Sequence, residues 1–219
     1  MKITEGLHAF LWTSMSANNC NTYLIDGPAK ILIDPGHLNF FPQVEGQLNA
    51  LGIETGDIDL VVATHGHPDH FEAARLFRNQ PALFAMSLED WRLIQRRLER
   101  AGPASGLEDF TPDFFPGPGS LNVKGIELTI VPAPGHSPGS VALYWPERKA
   151  LFSGDVIFRD GLGRTDLPGG NGAVLKESIK KLESLDSEFL LPGHGAIIRG
   201  GVEVRANFKR VEAYWFNYI

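Results

Sequence analysis

Apolar residues fall into short runs separated by turn chemistry. In the first third, Leu7–Trp12, Cys20–Ile25 and Lys30–Asp34 are apolar segments broken by Asn-Asn and Gly-Pro, which predicts three strands. The spacing then changes. Phe41, Val44, Leu48 and Leu51 recur every three or four positions with Gly52 behind them, which predicts a helix over 41–51. Ile58–Ala63 returns to a continuous apolar run and reads as a strand, followed by a helix through Glu72–Phe77. From Ser87 to Arg100 the pattern is strongly amphipathic. Ser87 can cap this helix, Asp90 stands where a capping box places its acid, and Gly102-Pro103 ends it. Trp91, Ile94 and Leu98 share its core face. Arg92, Arg96, Arg97 and Arg100 alternate with Glu89, Asp90 and Glu99, as a solvated face does.

Further strands are expected at Leu128–Val131, Ala150–Phe152 and Glu188–Leu191, with helices at Gly172–Leu185 and from about Val202. Strands and helices interleave along the whole length, so residues 1–219 read as one α/β domain. The stretch GPASGLEDFTPDFFPGPG, 102–119, is too rich in Pro and Gly for regular structure. Its Phe110, Phe114 and Phe115 either roof a pocket or pin the loop to the core.

Composition narrows the class. At 43% hydrophobic and 21% charged residues, the 219-residue chain can build a sizeable core. A formal charge of −6 argues against nucleic acid or an anionic membrane as the main partner. No apolar run approaches the roughly 20 residues that span a bilayer. Glu5 and His8 interrupt the apolar core that a signal peptide requires. With the single cysteine Cys20, no disulfide can form within the chain, so a cytoplasmic protein is expected. Cys20 itself reads as a small buried residue in its strand.

Candidate chemistry gathers at the ends of the predicted strands. Leu60-Val61-Val62-Ala63 leads into the run THGHPDH, which carries His65, His67, Asp69 and His70. Leu128–Val131 leads into His136, Ala150–Phe152 into Asp155, and Phe189–Leu191 into His194. In α/β proteins, ligands bind outside the carboxyl ends of strands. If these strands are neighbours pointing the same way, all seven side chains meet on one rim. Gly66, Gly135, Gly154 and Gly193 precede the ligands and permit sharp turns. Pro68 suits the first position of a helix, whose positive end would favour an ionised Asp69 and a neutral His70. Seven nitrogen and oxygen ligands are too many for one tetrahedral ion and suit two divalent ions sharing a carboxylate. Without cysteine among them, zinc, iron and manganese are all admissible, zinc first.

THGHPDH at 64–70, PGH at 134–136, SGD at 153–155 and PGHG at 192–195 resemble the metallo-β-lactamase superfamily, and ILIDPG at 31–36 resembles its earlier aspartate signature. The resemblance implies a four-layer αββα sandwich. It assigns His65, His67 and His136 to one metal, Asp69, His70 and His194 to a second, and Asp155 to the bridge. Asp34 would orient the site without binding metal.

A narrower likeness lies in GDVIFRDGLGRTDLPGG, 154–170, which resembles the glyoxalase II group and the related persulfide dioxygenases. It implies that Arg164 contacts the carboxylate of a glutathione moiety, as a guanidinium fork suits. Its plainer role is an ion pair with Asp160 or Asp166. Two features of the larger glyoxalase II enzymes are replaced: Ala196 stands where they carry a tyrosine, and the sequence ends at Ile219 rather than in a helical domain. Arg205, Lys209 and Arg210 read as solvated charges. The expected activity is therefore that of the short glyoxalase II-like proteins. A metal-bridging hydroxide would cleave a small-molecule thioester such as S-D-lactoylglutathione, with Asp69 accepting the proton. The alternatives are a persulfide dioxygenase with one iron on His65, His136 and Asp155, and a lactonase on the same site.

Overall fold

Strands covered on both faces are expected to be near-continuous apolar runs, and Ile31–Ile33 and Leu60–Val62 are. In the computed structural model, which describes residues 1–101 and 110–219, β1 (Lys2–Thr4), β2 (Leu7–Phe10), β3 (Thr22–Asp26), β4 (Lys30–Ile33), β5 (Leu60–Val62) and β6 (Leu83–Ala85) form one six-stranded sheet in that order. Alternation sorts their side chains. Ile31, Ile33, Leu60 and Val62 face the interior between the sheets, while Leu32 and Val61 face outward. A helical layer covers that outer face: Phe41, Val44 and Leu48 of α1 (Phe41–Asn49), Phe71 of the one-turn α2 (Pro68–Phe71), and Trp91 and Ile94 of α3 (Leu88–Ala101).

The second sheet contains β7 (Gly119–Val123), β8 (Ile126–Pro132), β9 (Val141–Trp145) and β10 (Ala150–Gly154). A small hairpin of β11 (Ile157–Phe158) and β12 (Gly161–Leu162) follows, and β13 (Phe189–Pro192) and β14 (Ile198–Arg199) return to the sheet. Its order is β14-β13-β10-β9-β8-β7. Leu128, Ile130, Leu143 and Phe152 meet the first sheet, and Val131, Leu151 and Leu190 pack under α4 (Gly172–Glu183) and α5 (Gly201–Trp215). The result is the expected αββα sandwich, with an apolar layer inside and one under each helical layer.

Several expectations are corrected. Cys20 is buried, but it precedes β3 rather than lying in it. Leu51 falls beyond α1 and is exposed. Glu72–Phe77 is a 3-10 helix behind the short α2. Within the Pro- and Gly-rich stretch, residues 102–109 lie outside the described residues. Phe110 stacks on Phe84 at 5.1 Å, and Phe114 packs against the inter-sheet core. These two phenylalanines pin the chain rather than roof the cleft described below. Among the described residues, no helix is long and apolar enough to cross a membrane.

Candidate metal centre

The rim is not a row of adjacent strands. β5 belongs to the first sheet, and β9 separates β8 from β10 in the second. Because β8 and β10 are each antiparallel to β9, and β13 is parallel to β10, all three run the same way. Their carboxyl ends open beside that of β5, where Val141 N–H donates across the sheets to Thr64 O at 2.9 Å. The seven proposed ligands converge there.

The inward atoms form two groups. His67 Nδ1 stands 3.0 Å from His65 Nε2 and 2.9 Å from His136 Nε2. His70 Nε2 stands 3.3 Å from His194 Nε2, which is 3.4 Å from Asp69 Oδ2. Asp155 lies between them: Oδ1 is 3.3 Å from His70 Nε2, and Oδ2 is 3.5 Å from His136 Nε2 and 3.4 Å from His194 Nε2. These separations approach the roughly 3.3 Å edge of a tetrahedron with 2.0–2.1 Å bonds.

Hydrogen-bond partners assign the ring tautomers. Thr64 Oγ1 donates to Asp34 Oδ2, which leaves it to accept from His65 Nδ1. His136 Nδ1 donates to the Arg164 carbonyl, and His70 Nδ1 to Asp34 Oδ2. In His65 and His136 the lone pair of Nε2 therefore faces the cluster, the arrangement imidazole needs to ligate a metal. Among the described residues, His67 Nε2 and Asp155 Oδ1 are buried without a hydrogen-bond partner. Facing lone pairs and an unsatisfied buried carboxylate oxygen are unfavourable by themselves and favourable around cations. The donor set fits divalent metal.

Electrostatics divides the rings. Burial pushes His65 well below the ordinary imidazole value, and His67 down to about 4, so both are neutral. Burial acts the same way on His70, but Asp155 and Asp34 overcome it and hold that ring well above the ordinary value. His194 is likewise raised to about 9, against burial, by its bonds to Asp155 and Asp69. Two adjacent carboxylates thus oppose the neutral form of His70 that a helix N-terminus favours. Metal binding to His70 and His194 is coupled to release of their protons. Asp69 stays ionised: burial opposes this, but the His194 bond and the His70 charge keep its carboxyl well below the usual range.

Local sequence explains the placement. Pro68 occupies the first turn of α2, with His67 as the preceding residue. Gly154 has φ of 48°, and a side chain there would overlap the Thr64 hydroxyl. A Cβ at Gly193 would overlap Asp155 Oδ1 and His70 Cε1. Asp34, itself at φ of 53°, accepts from the Thr64 amide and hydroxyl at 2.7 and 2.8 Å and from His70 at 2.9 Å.

Other supporting residues escaped the sequence reading. Ser87 does cap α3 through the Asp90 amide. The Asp90 carboxylate, however, accepts from Gly66 N–H, Ser137 Oγ and Gly139 N–H, each at 2.7 Å. It ties the His65–His67 loop to the His136 loop. Burial pushes its carboxyl up, while these donors draw it back. Asn18 donates to Asp69 Oδ2 at 2.7 Å. Asn21 Nδ2 donates to the carbonyls of Pro192 and Gly195 on either side of His194. Their only signal in sequence was a polar residue beside a buried strand or in a helix cap.

Above the cluster opens a cleft of about 570 Å³, lined by Asn18, Pro68 and the metal-type residues together with Phe158, Leu162, Arg164 and Leu167. Arg164 is exposed and forks onto Asp166 at 2.8 and 2.7 Å, not onto Asp160, which pairs with Arg210. Ala196 is exposed.

The fold and centre have counterparts among known proteins. The model of the metallo-beta-lactamase superfamily matches residues 15–194. The hydroxyacylglutathione hydrolase GloC of Haemophilus influenzae is 33% identical over 199 residues, covering 86% of this chain and 91% of that protein. A probable metallo-hydrolase of Methanocaldococcus jannaschii is 35% identical over 191 residues, covering 81% and 88%. The crystal structure of TTHA1623 in a di-iron-bound form superimposes with a TM-score of 0.72 at 33% identity, over 90% of this chain and 98% of that one. The family match spans β3 to β13 and all seven clustered side chains: the chain belongs to the metallo-β-lactamase superfamily.

Proposed function

We propose that the protein is a metal-dependent hydrolase of small thioesters of the S-D-lactoylglutathione type, working as one domain in the cytoplasm with two divalent metals, zinc first and iron or manganese as alternatives. The observation that carries this reading is Asp155, whose two oxygens face both ligand groups. His65, His67 and His136 would hold one ion, Asp69, His70 and His194 the other, and Asp155 would bridge. The ions would supply a Lewis acid for the carbonyl oxygen and water with a pKa lowered towards about 7.

The chain's own residues supply the rest. Asp155 and His194 fix the floor on which the carbonyl carbon must stand. Asp69 is held ionised, with Oδ2 gripped by Asn18, so its carboxylate faces the cleft ready to take the proton of the attacking water. Phe158, Leu162 and Leu167 exclude solvent from the acyl group. No strong acid is needed for the departing thiolate, whose conjugate thiol has a pKa of about 8.5. Arg164 is the cation on the cleft wall that suits a substrate carboxylate, and Asp166 competes with it. The relative named a hydroxyacylglutathione hydrolase supports this substrate class. Ala196 in the place of a tyrosine weakens the glutathione grip rather than the chemistry.

Elemental analysis of protein purified with its native metals, with parallel assays on S-D-lactoylglutathione and glutathione persulfide, tests the reading. Two ions per chain and oxygen-independent thioester cleavage are expected. One iron with persulfide-dependent oxygen uptake would instead make the protein a dioxygenase.

A further inference from the structure

The apolar wall beside the metal cluster rests on an element with little stability of its own. Strands β11 and β12 have two residues each, paired Ile157 with Leu162 and Phe158 with Gly161. An isolated hairpin is marginal in water even when longer. Its turn holds Asp160 at φ of 56°, a left-handed conformation uncommon outside glycine. Yet Phe158 and Leu162 line the cleft, and the chain runs directly on into Gly163 and Arg164, whose carbonyl fixes the His136 ring.

Ser153 Oγ donates to Ile157 O at 2.9 Å and Arg159 to Ile197 O at 2.7 Å, and the tip of the hairpin is held by α5. Asn207 sits in its buried stripe beside Val204, Phe208 and Val211, and is fully buried. A buried amide is costly unless both its ends are hydrogen-bonded. Asn207 directs both at the hairpin: Oδ1 accepts from Asp160 N–H and Nδ2 donates to Phe158 O, each at 2.8 Å. Trp215 Nε1 adds a bond to Asp160 O at 2.8 Å, and Arg210 Nε one to Asp160 Oδ1 at 2.7 Å. Arg210, read from sequence as a solvated charge, thus pairs at the hairpin tip. The Phe158 ring is held 6.0 Å from the His194 ring, centre to centre.

We propose that Asn207 is a positioning residue: through the β11–β12 hairpin it sets the distance of the Phe158–Arg164 wall from the metal cluster, and so selects substrates by their fit between floor and wall. The kinetic part rests on the thioester reading above.

Asn207→Leu removes both bonds while keeping the branched outline of the side chain. Metal content is expected to be unchanged, and KM for S-D-lactoylglutathione to rise about tenfold, the factor corresponding to one buried hydrogen bond, with kcat within about twofold. Hydrogen exchange at the Asp160 amide is expected to accelerate while that of residues 65–70 does not. A folded variant with unchanged KM and an equally protected Asp160 amide would overturn the proposal, as would equal losses in KM, kcat and metal content. If Asn207→Leu does not fold, Trp215→Phe, which deletes one anchor, carries the same test with a smaller expected change. Should the wild type cleave no thioester, the functional reading fails, and the exchange measurement alone still decides whether Asn207 holds the wall.

Discussion

The two sides of the cleft are built on opposite principles. The floor is over-determined: His65, His70, His136 and Asp155 are buried, each ring tautomer assigned above has a partner, and Asp34 and Asp90 tie the ligand loops by several short bonds apiece. The wall is a four-residue hairpin ladder, an exposed Arg164–Asp166 pair and three apolar side chains, with its tip held by α5. Rigid placement is what a metal centre requires, because ligand geometry decides affinity. A wall needs only shape, and shape can be altered without unmaking the centre. Changes in the floor should therefore move metal content and rate together, and changes in the wall side chains that leave the Arg164 carbonyl on His136 should move mainly KM.

The largest effect is expected from Asp155→Ala. It removes the carboxylate that faces both ligand groups, and kcat/KM should fall by more than about 100-fold, the upper range for a supporting residue, with metal content below two per chain by elemental analysis. Full metal content with near-normal activity would break the division between floor and wall.

Chelation comes next. Stripping metal from the folded chain should lower Tm by about 5–10 °C, given about 2.7 kcal/mol from a ligand at a hundred times its Kd and 2–4 °C per kcal/mol for a chain of this size. Calorimetry before and after re-addition of zinc measures it. An unchanged Tm would mean the cluster carries no tightly bound ion.

Asp90→Asn should have an intermediate effect. Its amide would turn one N–H donor against Gly66 or Gly139, costing about 1–3 kcal/mol of stability and weakening metal binding about 10–100-fold. Urea unfolding and metal titration would report the two losses. Stability lost without any change in metal affinity would make Asp90 a fold residue only.

The smallest and most selective effect is expected at Arg164→Ala. Surface pairs such as Arg164–Asp166 contribute little to stability, so Tm and metal content should hold. KM should rise about tenfold, as for one lost charge-assisted bond, for a thioester bearing a carboxylate and not for a simple acyl ester. Equal changes with both substrates would remove the proposed contact.

Legibility in the sequence followed the same division. The seven clustered side chains announced themselves because His and Asp are costly at strand ends unless they do something there, and because glycines flank them. Asp34 was visible through the likeness of ILIDPG to a known aspartate signature. Asp90 was seen as a helix cap, and its carboxylate was free to serve two distant loops only because Gly66 and Gly139 happen to lie above α3. Asn18, Asn21 and Asn207 carried no pattern at all, since asparagine in a loop or a helix has no period and no motif. Strands β7 and β9 were passed over, because short runs without alternation resemble loops.

The order of apolar runs, the ligand types and the glycines beside them were written in the chain itself, since each is a local matter of side-chain chemistry and allowed φ. Which loops face one another, which oxygen of Asp155 meets which imidazole, and that a C-terminal helix props up a hairpin were decided only in three dimensions. The physical reason is that a hydrogen bond between residues fifty positions apart depends on how two sheets pack, and packing is a property of all the side chains at once.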